Sequence, residues 1–237
     1  NLCVVLDHNH LQIDGVVEEI KREEPVVAKA DSFGWNAFAI DGHDFGALES
    51  ALCTARDDKH SVLIHVATQK GRGFRPAERS PCDWHGVGAF ELDAKQPPSA
   101  KPGYSKVFGS TLAQLADENP AVVAITAAMC GGTGLEPFAE RHPERFFDVG
   151  ICEAHAVVFA AGLAASGYRP VFAVYSTFLQ RAVDCVMHDL CLQNLPVVLC
   201  VDRAGVVGSD GPTHHGIYDI PMLRCLPNLT IMQPKDT

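Results

Sequence analysis

Short apolar runs alternate with longer stretches whose apolar residues recur at helical spacing. That pattern predicts an α/β chain with mainly parallel sheets. In the first part, the runs place strands near residues 2–6, 36–40 and 61–67. A helix is expected over 44–55, with Asp44 as its cap. Residues 15–30 carry a Glu/Lys-rich helical stretch that Pro25 interrupts. Residues 72–103 are Pro/Gly-rich and aperiodic, and read as a linker. Asp83-Trp84-His85-Gly86 inside it is too chemically pointed for plain spacer.

From Tyr104 the alternation resumes. A helix at 105–118 leads to strands at 121–125 and 146–149, a helix at 153–166 and a strand at 170–174. A helix at 176–192, a strand at 196–201, a Gly-rich loop at 204–216 and a strand at 229–232 complete the pattern. This half reads as a near-complete doubly wound domain, and the first half as a partial one. Ligands of such sheets bind beyond the carboxyl ends of the strands, so chemistry is sought in the loops after Val149, Val174 and Val201. The chain opens on an apolar run without Met and closes just after another, so a piece of a longer protein is expected.

Composition narrows the possible partners. The 237 residues, 47% hydrophobic, are enough for a sizeable core. Lys plus Arg number 19 against 29 Asp plus Glu, a net charge of -10. That balance argues against general nucleic-acid or anionic-membrane binding, so a phosphate would be held by a few placed basic groups. No apolar run approaches the roughly 20 residues of a membrane span, and no signal peptide is expected. Nine cysteines form no Cys-x-x-Cys pair. Most are expected to be reduced, buried thiols of a cytoplasmic protein, as in Val197-Val198-Leu199-Cys200-Val201.

Three loops carry candidate chemistry. Glu153 opens an apolar helix, where a carboxylate suits the helix end; it could equally share a proton with a ring nitrogen. His155 two residues on reads as a half-buried histidine. In Tyr175-Ser176-Thr177-Phe178-Leu179-Gln180-Arg181, Phe178 is either core or a platform for a flat heterocycle. Arg181 either grips an anion or pairs with Asp184. The third loop offers Arg203 as a phosphate fork, Asp210 as a hydroxyl acceptor and His214 for proton transfer. His214 and His215 could instead bind zinc, although no third ligand is near in sequence. At the front, Asp7-His8-Asn9-His10 follows a strand, and its oxygens suit either a turn or Mg²⁺.

Four stretches together resemble the thiamine-diphosphate enzymes of the transketolase superfamily. They are Ile125-Thr126-Ala127-Ala128-Met129, Phe147-Asp148-Val149-Gly150-Ile151-Cys152-Glu153, the Tyr175–Arg181 run, and Asp202-Arg203-Ala204-Gly205 through His214. Within the superfamily they resemble the branch that joins pyruvate to D-glyceraldehyde 3-phosphate. Lys70-Gly71-Arg72-Gly73-Phe74-Arg75-Pro76-Ala77-Glu78 and His85-Gly86-Val87 follow the same branch. Leu11-Gln12-Ile13-Asp14-Gly15 and Ile40-Asp41-Gly42-His43-Asp44 look as much like transketolase.

The resemblance implies doubly wound, mainly parallel sheets of the thiamine-diphosphate-binding fold. Residues 1–71 would be the C-terminal part of a diphosphate-binding domain, 72–103 the interdomain linker with an active-site histidine, His85, and 104–237 the pyrimidine-binding domain. Glu153 would contact the cofactor's aminopyrimidine N1′, and Phe178 would stack on that ring. Ile151 and Lys70 would also contact the cofactor. Asn9, with the Leu11 carbonyl, would complete Mg²⁺ coordination on the diphosphate. Arg181 and Arg203 would hold the aldehyde's phosphate, with Tyr175, Asp210 and His214 lining the acceptor channel; His85 and His214 would act in catalysis. The implied reaction gives 1-deoxy-D-xylulose 5-phosphate and CO₂, the first step of an isoprenoid pathway, in a bacterial homodimer. The family's Gly-Asp-Gly segment, about 30 residues before the Asn, would lie upstream of Asn1, and its third domain beyond Thr237. Two other readings remain: two-carbon transfer between sugar phosphates, and a silent paralogue that keeps the fold.

Overall fold

The computed structural model describes residues 2–12, 15–20, 24–91, 93, 103–208 and 210–234. The chain forms two compact units, Asn1–Ser99 and Ala100–Thr237.

In the first unit, β1 (Cys3–His8), β4 (Asn36–Asp41) and β5 (Val62–Ala67) form a parallel sheet in the order β1-β5-β4. A strand with neighbours on both sides is stable when its side chains can be buried, and β5 carries Val62, Ile64 and Val66 on one face. These pack with Ala51 of α3 (Phe45–Asp57), and Phe38, Ile40 and Leu48 close the cluster. Asp44 caps α3 as expected, its carboxylate accepting the Ala47 amide at 3.0 Å. Between β1 and β4 the chain makes a small antiparallel hairpin, β2 (Leu11–Gln12) with β3 (Gly15–Val16). Two short helices follow, α1 (Val17–Ile20) and α2 (Val26–Ser32). Pro25 thus stands at the N-cap of α2, where its missing amide costs nothing.

The second unit is a parallel sheet of four strands in the order β7-β6-β8-β9. The strands are β6 (Val122–Thr126), β7 (Phe146–Asp148), β8 (Arg169–Tyr175) and β9 (Val198–Asp202). Ala124, Val171 and Ala173 meet Leu112, Ala113 and Ala116 of α5 (Tyr104–Glu118) and Phe138 of α6 (Glu136–Arg141). Alternation sends Ile125, Phe172 and Val174 to the other face, and all three are fully buried. The Ala-rich α7 (Glu153–Ala165) lies against β8. The α5 backbone comes so close to the loop before α6 that a Cβ at Gly109 would stand 1.6 Å from the Gly134 carbonyl oxygen.

Several expectations need correction. Residues 229–232 form no strand: no neighbouring strand pairs with them, and Met232 is exposed. The helix expected over 176–192 is broken into α8 (Ser176–Leu179), a 3₁₀ turn (Gln180–Ala182), α9 (Val183–Cys185) and a π-helical segment (Val186–Cys191). Within the stretch read as linker, α4 (Arg75–Arg79) forms, and Trp84 packs edge-on against Phe74 and Phe90. Residues 92 and 94–102 of that stretch lie outside the described residues. The cysteines are less buried than expected: Cys191 is buried, but Cys3, Cys53, Cys152 and Cys225 are exposed. Short apolar neighbours in sequence do not ensure burial at strand edges and loop ends.

Candidate functional site

At the carboxyl ends of β6–β9, the second unit gathers most of the residues singled out above. Glu153, the first residue of α7, is only 3% exposed although its side chain is ionisable. Arg181 Nη1 donates to its Oε1 at 2.8 Å. Asp184 is therefore not the arginine's ion-pair partner. The 3₁₀ turn carries Arg181, and its tighter winding changes the direction in which the side chain leaves the helix. The Arg181 guanidinium also lies over the Phe178 ring, 5.0 Å from its centroid.

Phe178 is the hub of an aromatic group. Tyr175, at the end of β8, stacks on it at 5.5 Å between centroids, and His214 meets it edge-on at 5.6 Å. Arg203 sits over Tyr175 at 4.4 Å, donates to Asp210 Oδ2 at 3.1 Å and reaches the Gly132 carbonyl at 3.3 Å. Burial works against its charge, but Tyr175, Asp202 and Asp210 hold the guanidinium above its ordinary pKa. Arg203 adopts a left-handed backbone (φ 59°), braced by Asp202 Oδ1, which accepts its amide at 2.7 Å. A side chain at Gly132 would displace Tyr175, since its Cβ would stand 2.1 Å from the Tyr175 hydroxyl.

Six predicted residues, Glu153, Arg181, Phe178, Tyr175, Arg203 and Asp210, therefore form one contact chain, and His214 joins it at Phe178. Ile151 is exposed on the loop just before α7. His155 is exposed and stacks on Phe159, so it takes no part. The zinc alternative at His214 and His215 finds no support: His214 Nδ1 pairs with the Thr213 hydroxyl, and His215 Nδ1 accepts the Val207 amide. Sequence reading passed over two contributors. Asp148 Oδ1 accepts the amides of Ala128 and Gly150 at 2.8 and 2.9 Å, fastening two of the site loops. An Asp at a strand end, two residues before a glycine, was the available signal. The Gly132 carbonyl carried none.

The first unit holds the remaining candidates. Asn9 Oδ1 accepts the Leu11 amide at 3.0 Å, so both residues share one tight turn beyond β1. Lys70 Nζ and His85 Nδ1 are 3.0 Å apart.

Residues 100–237 match the family described as transketolase, pyrimidine binding domain. Residues 1–105 match transketolase, thiamine diphosphate binding domain. The chain is 57% identical over 210 residues to 1-deoxy-D-xylulose-5-phosphate synthase 1 of Geobacter metallireducens, covering 87% of this chain and 34% of that protein. It is 54% identical over 209 residues to the 1-deoxy-D-xylulose-5-phosphate synthase of Aquifex aeolicus, covering 87% of this chain and 33% of that one. The chain thus spans about a third of the length of these relatives. Among solved structures, transketolase from Leishmania mexicana superposes with a TM-score of 0.52 at 19% identity, over 99% of this chain and 47% of that one, a likeness of fold. The chain belongs to the transketolase family, its larger unit being the family's pyrimidine-binding domain.

Proposed function

We propose that this chain is part of a thiamine-diphosphate- and Mg²⁺-dependent transferase that condenses pyruvate with D-glyceraldehyde 3-phosphate to 1-deoxy-D-xylulose 5-phosphate and CO₂, working as a homodimer. The observation that carries the reading is the buried Glu153 carboxylate, joined to the Phe178 ring through the Arg181 guanidinium that contacts both. A buried acid next to an aromatic face suits a flat nitrogen heterocycle, and the residues present fit an aminopyrimidine. Thiamine diphosphate, when bound, supplies the electron sink for decarboxylating a 2-oxo acid.

The chain's own residues would do the rest. Glu153, only 3% exposed, holds a proton at a ring nitrogen. Phe178 fixes the ring plane, with Ile151 lining the entrance. Asn9 and the Leu11 carbonyl offer hard oxygens for Mg²⁺, and Lys70 offers a cation for the diphosphate. Arg203, pre-oriented by Tyr175 and Asp210, grips the aldehyde's phosphate bidentately, and Arg181 adds a second cation. His214 and His85 serve as proton carriers.

The test uses the full-length parent protein with pyruvate, glyceraldehyde 3-phosphate, thiamine diphosphate and Mg²⁺, following product by mass. Deoxyxylulose phosphate is the expected product. Turnover of xylulose and ribose phosphates without it would instead establish two-carbon ketol transfer. Arg203→Ala should raise the KM for the phosphorylated aldehyde and leave that for pyruvate unchanged.

A further inference from the structure

The turn at the end of β1 that carries Asn9 also holds a second concentration of ligating groups, which the reading above does not use. His8, His10 and Glu18 each present one donor atom, and the three atoms lie within 4.8 Å of one another. His10 Nδ1 is 2.5 Å from Glu18 Oε1, and His8 Nε2 is 3.9 Å from the same oxygen. Donor atoms around a tetrahedral ion with bonds of about 2.0–2.1 Å are separated by about 3.3 Å, so these distances bracket that edge. The left-handed backbone at His10 (φ 61°) turns its ring over His8, with centroids 4.2 Å apart. Asn9, between them, points its side-chain oxygen at the Leu11 amide instead.

A fourth residue supports the arrangement. His8 Nδ1 is 2.7 Å from His65 Nε2 on the neighbouring strand β5. With Nδ1 protonated and donating to His65, His8 keeps its Nε2 lone pair toward Glu18. Histidines that ligate metals are oriented in this way by a hydrogen bond from their other ring nitrogen.

We infer that His8, His10 and Glu18 bind a divalent, imidazole-preferring transition-metal ion, Zn²⁺ foremost, with His65 as the residue that orients His8. Two imidazoles and one carboxylate are a nitrogen-rich set that suits Zn²⁺ over Mg²⁺ or Ca²⁺, and the fourth position is left to water. The ion ties the end of β1 to α1 across the β2–β3 hairpin. The inference does not depend on the reaction proposed above.

Calorimetric titration of the whole 237-residue chain with ZnCl₂ in excess Mg²⁺ tests it, with cysteines blocked by a reversible thiol reagent. One equivalent of Zn²⁺ should bind to the wild type and to the double variant His214→Ala/His215→Ala. Glu18→Gln and His10→Ala should each weaken binding at least about tenfold, and His65→Ala about 10–100-fold. Glu18→Gln keeps size and polarity at a part-exposed position, and circular dichroism confirms that each variant is folded. Absence of stoichiometric binding by the wild type would overturn the inference. So would unchanged binding by Glu18→Gln and His10→Ala.

Discussion

Arg181 Nη1 stands 2.8 Å from Glu153 Oε1, a guanidinium 56% exposed closing over a carboxylate that is 3% exposed. The asymmetry decides how the pair acts. The arginine keeps much of its hydration, whereas the glutamate has given up nearly all of its own. On the function proposed above, a ligand nitrogen that took the carboxylate would release the arginine toward solvent.

Without a ligand, the same asymmetry makes Arg181→Ala destabilising. A buried acceptor that loses its charged partner costs about 1–3 kcal/mol. Urea denaturation should show a loss in that range, and one below about 0.5 kcal/mol would mark the pair as a solvated surface contact. The effect should shrink in a Glu153→Gln background, because the charge to be compensated is gone.

Two glycines should respond in opposite directions to alanine. Gly109 faces backbone that cannot yield easily, so Gly109→Ala should cost about 1–3 kcal/mol or more. Gly162, inside α7, has open space where a Cβ would go, and Gly162→Ala should stabilise by about 0.5–1 kcal/mol. Thermal melts of the two variants, measured side by side, should shift oppositely.

His188 titrates above the ordinary histidine value, because Asp189 first accepts a hydrogen bond from its ring at 2.8 Å and also supplies a negative charge. A histidine whose pKa is raised by folding adds stability that is complete below its unfolded pKa and lost as pH rises through the folded one. NMR titration should place His188 above model histidine, and Asp189→Asn should bring it back. An unchanged midpoint in that variant would remove Asp189 as the cause.

Thiol reactivity should divide the cysteines. Burial, and then the charge of Asp202, push the Cys200 thiol up to about 11. At pH 8 its thiolate fraction is on the order of a hundredfold below that of an ordinary cysteine. Iodoacetamide followed by peptide mass mapping should label the exposed Cys3, Cys53, Cys152 and Cys225 early and Cys200 late. Early labelling of Cys200 would mean that β9 opens readily.

The parallel sheets were legible because runs such as Val122–Thr126 lie buried in the middle of a sheet and are largely apolar for that reason, and Val62–Ala67 buries Val62, Ile64 and Val66 on one face. The candidate site was legible as well, since each of its loops follows such a run and the family resemblance named the residues within it. The pairings were not. Arg181 and Glu153 are 28 residues apart, and Asp184 was the nearer acid in sequence. The 3₁₀ and π turns after Ser176 keep helical periodicity on average, so no local pattern marks them. The β2–β3 hairpin has only two residues per strand, too few to show alternation, and the His8–Glu18 cluster depends on it. The stretch at 229–232 has a strand's composition without a partner strand, and composition alone cannot tell the difference.

Asp148 acts as a shared fastener. Because one carboxylate oxygen receives amides from the turn after β6 and from the loop before α7, neither turn can shift without pulling on the other. A molecule pressing on Ile151 would thus be felt at Met129, on the neighbouring strand's turn. Breaking the fastener with Asp148→Ala, which removes the acceptor, should let the two segments open independently, and hydrogen exchange at the Ala128 and Gly150 amides should then speed up.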